Sequence, residues 1–174
     1  MRTQNLKLQV ITLSVIIFAL AIFRLLPHLP NVSPVAAMAL FGGAYFADKK
    51  LAFIVPFAAL LLSDLLLGLH NTMIFVYAGF ALTVVIGFMI KNRVSVTNTA
   101  FAVLASSVLF FLLTNFGAWM TSPLYAKTAE GLMQAYAAGI PFFQNSLIGN
   151  LVFAAIIFGG YHLLQKNVSA LKAV

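Results

Sequence analysis

Asp64 is the residue of this chain whose type and setting are best suited to chemistry. The sequence holds only three acids, Asp48, Asp64 and Glu130, and Asp64 stands inside the apolar run LAFIVPFAALLLSDLLLGLH rather than in a turn. A carboxylate in hydrocarbon is costly and normally faces a partner or a water-filled cavity. Two readings follow for it: a structural acid hydrogen-bonded to a neighbouring segment, with Ser33 or Asn31 as partners, or a group that touches a ligand or couples to a proton. His70 follows six residues later, under two helical turns away, with Asn71 next to it. A neutral imidazole ligates metals, so His70 is a candidate donor, yet one histidine is not a metal site; His28 is the other histidine on this face, and a solvated interfacial role fits both. Asp64 and His70 as an acid–base pair would make an intramembrane enzyme, but no nucleophile, base and orienting group stand together in the sequence. A non-enzymatic role is therefore expected.

The richest polar stretch is NFGAWMTSPLYAKTAEGLMQAYAAGIPFFQNSLIGN, Asn115 to Asn150, which contains the only tryptophan. Trp119, Tyr125, Tyr136, Phe142 and Phe143 either line a pocket with their flat faces or form the aromatic belt that anchors spans at headgroup level. Asn115, Asn145 and Asn150 carry amides that need partners in hydrocarbon, from a neighbouring helix or from a ligand. Tyr77, at the start of another apolar run, belongs with the same group.

These residues must be positioned by membrane helices. An apolar fraction of 63% with 7% charged residues lies far outside soluble norms, as does the mean hydropathy of +1.05. With 174 residues the chain holds about six spans of roughly 20 residues each, and no separate soluble domain. The expected fold is all-α: a single six-helix polytopic membrane domain over residues 1–174. The net charge of +7 does not indicate nucleic acid, because the ten basic residues sit at span ends rather than in a stripe. With no cysteine there is no disulfide and no thiolate site.

In chain order, LQVITLSVIIFALAIFRLL reads as the first span. It also resembles a secretory signal with a cleavage point after Ala21, but a retained span gives the better charge topology. PHLPNVSP breaks the helix, and PVAAMALFGGAYFA forms a short second one. There Ala39, Gly43 and Ala47 repeat at intervals of four, a strip that packs inside the bundle or docks a separate protein. Spans three to five run over Leu51–His70, Met73–Ile90 and Val96 to about Trp119. Thr128 caps a short helix lying along the outer interface to Ala138, Gly139-Ile140-Pro141 stops it, and Ile140–Leu164 forms the sixth span.

A cytoplasmic N-terminus puts Arg2, Lys7, Lys49, Lys50, Lys91, Arg93, Lys166 and Lys172 inside, eight of the ten basic residues, and leaves Arg24 and Lys127 outside. Both termini are then cytoplasmic. The expected location is the cell membrane, of the bacterial inner-membrane kind, with the asparagines, aromatics, His28 and His70 on the outer face and His162 near the inner one.

The strings NVSPVAAMALFGGAYF, SDLLLGLH, TNFGAWM, LYAKTAEGL, AYAAGIPFFQNSLIGN and FGG are similar to a group of six-helix membrane proteins. These are the substrate-binding S-components of energy-coupling-factor vitamin transporters, in particular the solitary cobalamin-binding type, and the similarity spans about Phe23 to Gly160. The resemblance implies capture of a vitamin, cobalamin or a related corrinoid, at the outer face and its carriage into the cell. The cobalamin would be cargo, and no intrinsic cofactor is expected. The implied ligand-binding positions are Asn31, Asp64, His70, Asn71, Tyr77, Asn115, Trp119, Tyr125, Tyr136, Phe142, Phe143 and Asn145, with Ser33 beside them. Asn150 stands where that group often has an acid, and without cysteine any protein ligand to cobalt falls to His70 or another neutral donor. The alanine pattern with which such proteins dock a membrane partner has no clean version on the first helix, so an ATP-driven partner module is an open expectation. The chain itself has no nucleotide-binding motif.

Overall fold

Each apolar run folds as a helix because its backbone groups can be satisfied without water only by their own ladder. The structure, a computed structural model, describes residues 2–27 and 29–171. His28 and Lys172 lie outside the described residues. The helices are α1 (Arg2–Phe23), α2 (Val35–Tyr45), α3 (Lys49–Leu67), α4 (Met73–Ile90), α5 (Val96–Thr121) and α6 (Ala129–Asn167), followed by a 3-10 turn, Ser169–Leu171. Among the described residues there is no strand, and five of the six α-helices are long and apolar enough to cross a membrane. Three of them, α3, α5 and α6, start at side-chain caps: Asp48 accepts from the Lys50 amide at 2.7 Å, Ser95 from Asn98 at 3.1 Å and Thr128 from Gly131 at 3.2 Å.

The sixth, α2, is the axis of the bundle. At 11 residues it is too short to span, and Ala36 to Ala44 are all buried. Two glycines let its neighbours come this close. A Cβ on Gly42 would stand 2.6 Å from Pro56 of α3, and one on Gly43 would stand 2.2 Å from the Val84 carbonyl and 2.9 Å from the Gly87 Cα of α4. Beyond the last turn, the Phe46 and Ala47 carbonyls accept from Lys91 Nζ at 2.6 and 3.2 Å. Non-helical backbone within a membrane bundle is tolerated where protein supplies the missing donors, and Lys91 supplies them at this end of α2.

This packing decides the small-residue strip. Ala39 and Gly43 are buried against neighbouring helices and offer no docking face, while Ala47 lies exposed beyond the helix end. Internal packing is the use the structure makes of Ala39 and Gly43.

The expected break between an outer helix and the sixth span is absent. Helix α6 runs unbroken through Gly139 and Pro141 for 39 residues, about 58 Å at 1.5 Å per residue. Proline removes one ladder hydrogen bond, here to the exposed Ala137, but contacts with α5 hold the helix on both sides of it. Tyr136 Oη donates to the Leu112 carbonyl at 3.0 Å, and Phe143 packs on Phe111 with centroids 5.0 Å apart. The short outer helix expected from the sequence is thus the first turns of the sixth helix itself.

The turns sort the bundle into two ends. The start of α1, the α2–α3 and α4–α5 turns and the end of α6 share the basic end, which Lys91 ties together. The α1–α2, α3–α4 and α5–α6 connections share the far end. Between them, large apolar side chains such as Leu66, Ile74, Phe101 and Ile148 are exposed, as expected where the solvent is lipid.

Candidate functional site

Asp64 is buried near the end of α3, and its partner is Arg24, just past α1. Arg24 Nη2 stands 2.8 Å from Asp64 Oδ1, and Tyr77 of α4 donates its hydroxyl to Oδ2 at 3.0 Å. The other Arg24 nitrogen donates to Ser63. Ser33 and Asn31, the partners expected from sequence, do not hold it; the guanidinium is the stronger one because a buried carboxylate needs an opposite charge. The missed signal was available, since Arg24 and Asp64 are the ionisable residues that interrupt apolar runs, and such residues pair. This cluster joins α1, α3 and α4 at the far end.

His70 and Asn71 are exposed in the tight turn that follows, where His70 Nδ1 and the Thr72 hydroxyl share a hydrogen bond of 2.8 Å. Among the described residues no hydrogen bond or ion pair joins His70 to Asp64, and no three potential metal ligands gather.

Most of the other candidates line the α5–α6 seam. Asn115 donates to the carbonyl of Phe111 on its own helix at 2.8 Å, and Gly139 lies so close that a Cβ there would be 2.3 Å from Asn115 Oδ1. Tyr136 and Phe143 complete this contact, while Phe142 is exposed. Deeper in, Asn150 donates to Ser107 at 3.1 Å, so its amide is spent between helices. At the loop, Trp119 Nε1 donates to the Ala126 carbonyl at 2.8 Å. Lys127 lies over the Trp119 ring at 5.9 Å and donates to the Trp119 carbonyl, to Ser122 O at 2.8 Å and to Tyr125 O at 3.5 Å. It thereby neutralises the C-terminal carbonyls of α5. Asn145 reaches the first loop, donating to Pro30 O at 3.2 Å next to Asn31, whose φ of 64° turns the chain. A Cβ on Gly149 would stand 3.1 Å from Val32, so this loop lies directly on α6.

The structure therefore brings Asp64 to Tyr77, Asn115 to Tyr136 and Phe143, and the Asn31 loop to Asn145. Their polar atoms largely bond to one another or to backbone.

A cleft of about 860 Å³ lies at the other end of the same two helices. Thr99, Ala100 and Val103 of α5 form one wall, and Leu151, Ala154, Ala155, Phe158 and Gly159 of α6 the other. Ala44 and Tyr45 of α2 close the back, Gln9 of α1 borders it, and Lys91, Asn92, Ser95, His162 and Gln165 form the rim. The facing positions are small: Ala100, Ala154, Ala155 and Gly159 leave space between the two helices. Sequence reading did not find it, because residues from five segments meet here and none forms a motif alone. Behind it the Tyr161 hydroxyl is buried beside Gln9.

Residues 4–171 match the family described as a family of unknown function, DUF6580, and the chain belongs to it. No curated protein and no solved structure matches the chain.

Proposed function

We propose that this DUF6580 protein is a multi-pass membrane transport protein that takes a vitamin-sized organic solute from outside and releases it to the cytoplasm. The observation that carries the reading is the contrast along α5 and α6, closed by side-chain contacts at the far end and parted around an 860 Å³ cleft at the basic end. That volume lies within the range of about 300 to 1,000 Å³ typical of small-molecule sites. Basic residues cluster at the cleft end, which makes it the cytoplasmic end with both termini inside. The bundle then stands open inward, the state that follows release, and the outer asparagines and aromatics are the groups that separate when it receives a solute. Likeness in sequence to the solitary cobalamin-binding S-components makes cobalamin and related corrinoids the first cargo to test. Any use of ATP comes from a partner.

Detergent-purified protein should be stabilised against heat by its cargo when screened over cobalamin, cobinamide and other vitamins, and proteoliposomes should accumulate the same compound. A chain that no vitamin stabilises, and that moves none, is not this transporter. Because the protein has no cysteine, single-cysteine variants report access directly. A polar maleimide should label Thr99→Cys and Ala155→Cys from the inside only; labelling from the outside would reverse the orientation.

A further inference from the structure

The cleft has a charge character as well as a size. Among the residues that line it there is no acid, whereas Lys91 and His162 stand on its rim and the N-terminus of α5 opens beside them at Ser95 and Val96. Ser95 caps the Asn98 amide, which leaves the Val96 and Thr97 N–H groups outside the ladder of a 26-residue helix, and a helix start favours negative charge. Lys91 commits its ammonium to the Phe46 and Ala47 carbonyls, and among the described residues it forms no ion pair. The walls are mostly apolar, and Gln9 and Thr99 are buried polar groups along them.

We propose that the cleft binds an organic anion with an apolar body: a carboxylate or phosphate seated between Lys91 and the start of α5, and a hydrocarbon portion lying between Val103 and Phe158. Gln9 meets a polar atom of the buried part. The inference rests on the reading of the cleft as the solute path, and it narrows the solute from vitamin-sized to anionic and amphipathic. The same chemistry comes from two sources, a soluble acid in transit or the headgroup of an inner-leaflet lipid.

Octanoate is the soluble probe, octanol its uncharged counterpart, and nanodiscs of phosphatidylglycerol or phosphatidylcholine supply the lipid arm. Gly159→Leu serves as the blocking variant, because a Cβ at Gly159 has nothing within 4 Å and the side chain enters free space. Octanoate should bind and raise the melting temperature, octanol should bind at least ten-fold more weakly, and Gly159→Leu should weaken octanoate at least ten-fold. Lys91→Gln should also lose about ten-fold while Lys91→Arg retains binding; should Lys91→Gln not fold, Gly159→Leu still decides. If instead phosphatidylglycerol, and not octanoate, stabilises the wild type over phosphatidylcholine and Gly159→Leu removes the effect, the lipid is the source. Equal binding of octanoate and octanol, or octanoate binding and a phosphatidylglycerol preference that Gly159→Leu leaves unchanged, overturns the proposal. Transport of a neutral vitamin with no competition from octanoate sinks the anion preference but keeps the transporter. Anion binding that Gly159→Leu removes, without uptake of any vitamin, keeps the site and sinks the transporter.

Discussion

Helices α5 and α6 meet differently at their two ends. At the far end Asn115, Phe111 and Leu112 of one receive Gly139, Phe143 and Tyr136 of the other, and Ser107 receives Asn150. At the basic end Ala100 faces Ala154, Ala155 and Gly159 across a cleft. Glycine serves both ends and means opposite things in each: Gly139 is small because a neighbour fills its space, Gly159 because nothing does. Small residues therefore mark close approach in one place and a cavity in another, and only the opposing surface distinguishes them.

Substitutions sharpen this contrast. The largest effect is expected at the ion pair that fastens the far end. Asp64→Ala leaves the part-buried Arg24 without its counter-charge and should cost about 3 kcal/mol, whereas replacing both by uncharged residues should recover much of that loss. Equal melting temperatures for the wild type and Asp64→Ala would mean that Arg24 finds water there. Next comes Gly139→Leu, which drives a side chain into Asn115 and should destabilise by about 2 kcal/mol; an unaffected melting temperature would show the seam to be loose. Removal of single bonds across the seam, by Tyr136→Phe or Asn150→Ala, should cost about 1 kcal/mol each in denaturation of purified protein. The smallest effect belongs to Gly159→Ala, which touches no neighbour and should stabilise the helix by about 0.5 to 1 kcal/mol. If Gly139→Ala and Gly159→Ala proved alike, the two ends of the pair would not differ as described.

Much of the helical architecture was legible because a bilayer leaves so few options. Long apolar runs must be helices, and Asp48, Ser95 and Thr128 sit where a helix start needs an acceptor. One boundary was misplaced. Pro141 reads as a stop locally, but Tyr136 and Phe143 grip α5 on either side and outweigh one lost bond. The Ala39–Gly43 strip reads as internal packing or as a docking face, and the burial of both residues favours the packing. The candidate site was legible in its residues and not in its grouping. Asp64 stood out at once, yet its partner Arg24 lies forty positions earlier, and the expected Ser33 and Asn31 were nearer in the chain reading than in space.

The sequence by itself determined that this chain needs lipid as solvent, that its secondary structure is helical, and that its polar residues divide into a basic set and an amide-aromatic set. Composition and local period are enough for that, because hydrocarbon penalises every unsatisfied backbone group in the same way wherever it occurs. Only the tertiary structure decided which polar groups spend themselves on one another and where space remains. Pairing depends on which helix faces come together, and a cleft is a property of two surfaces that neither carries alone.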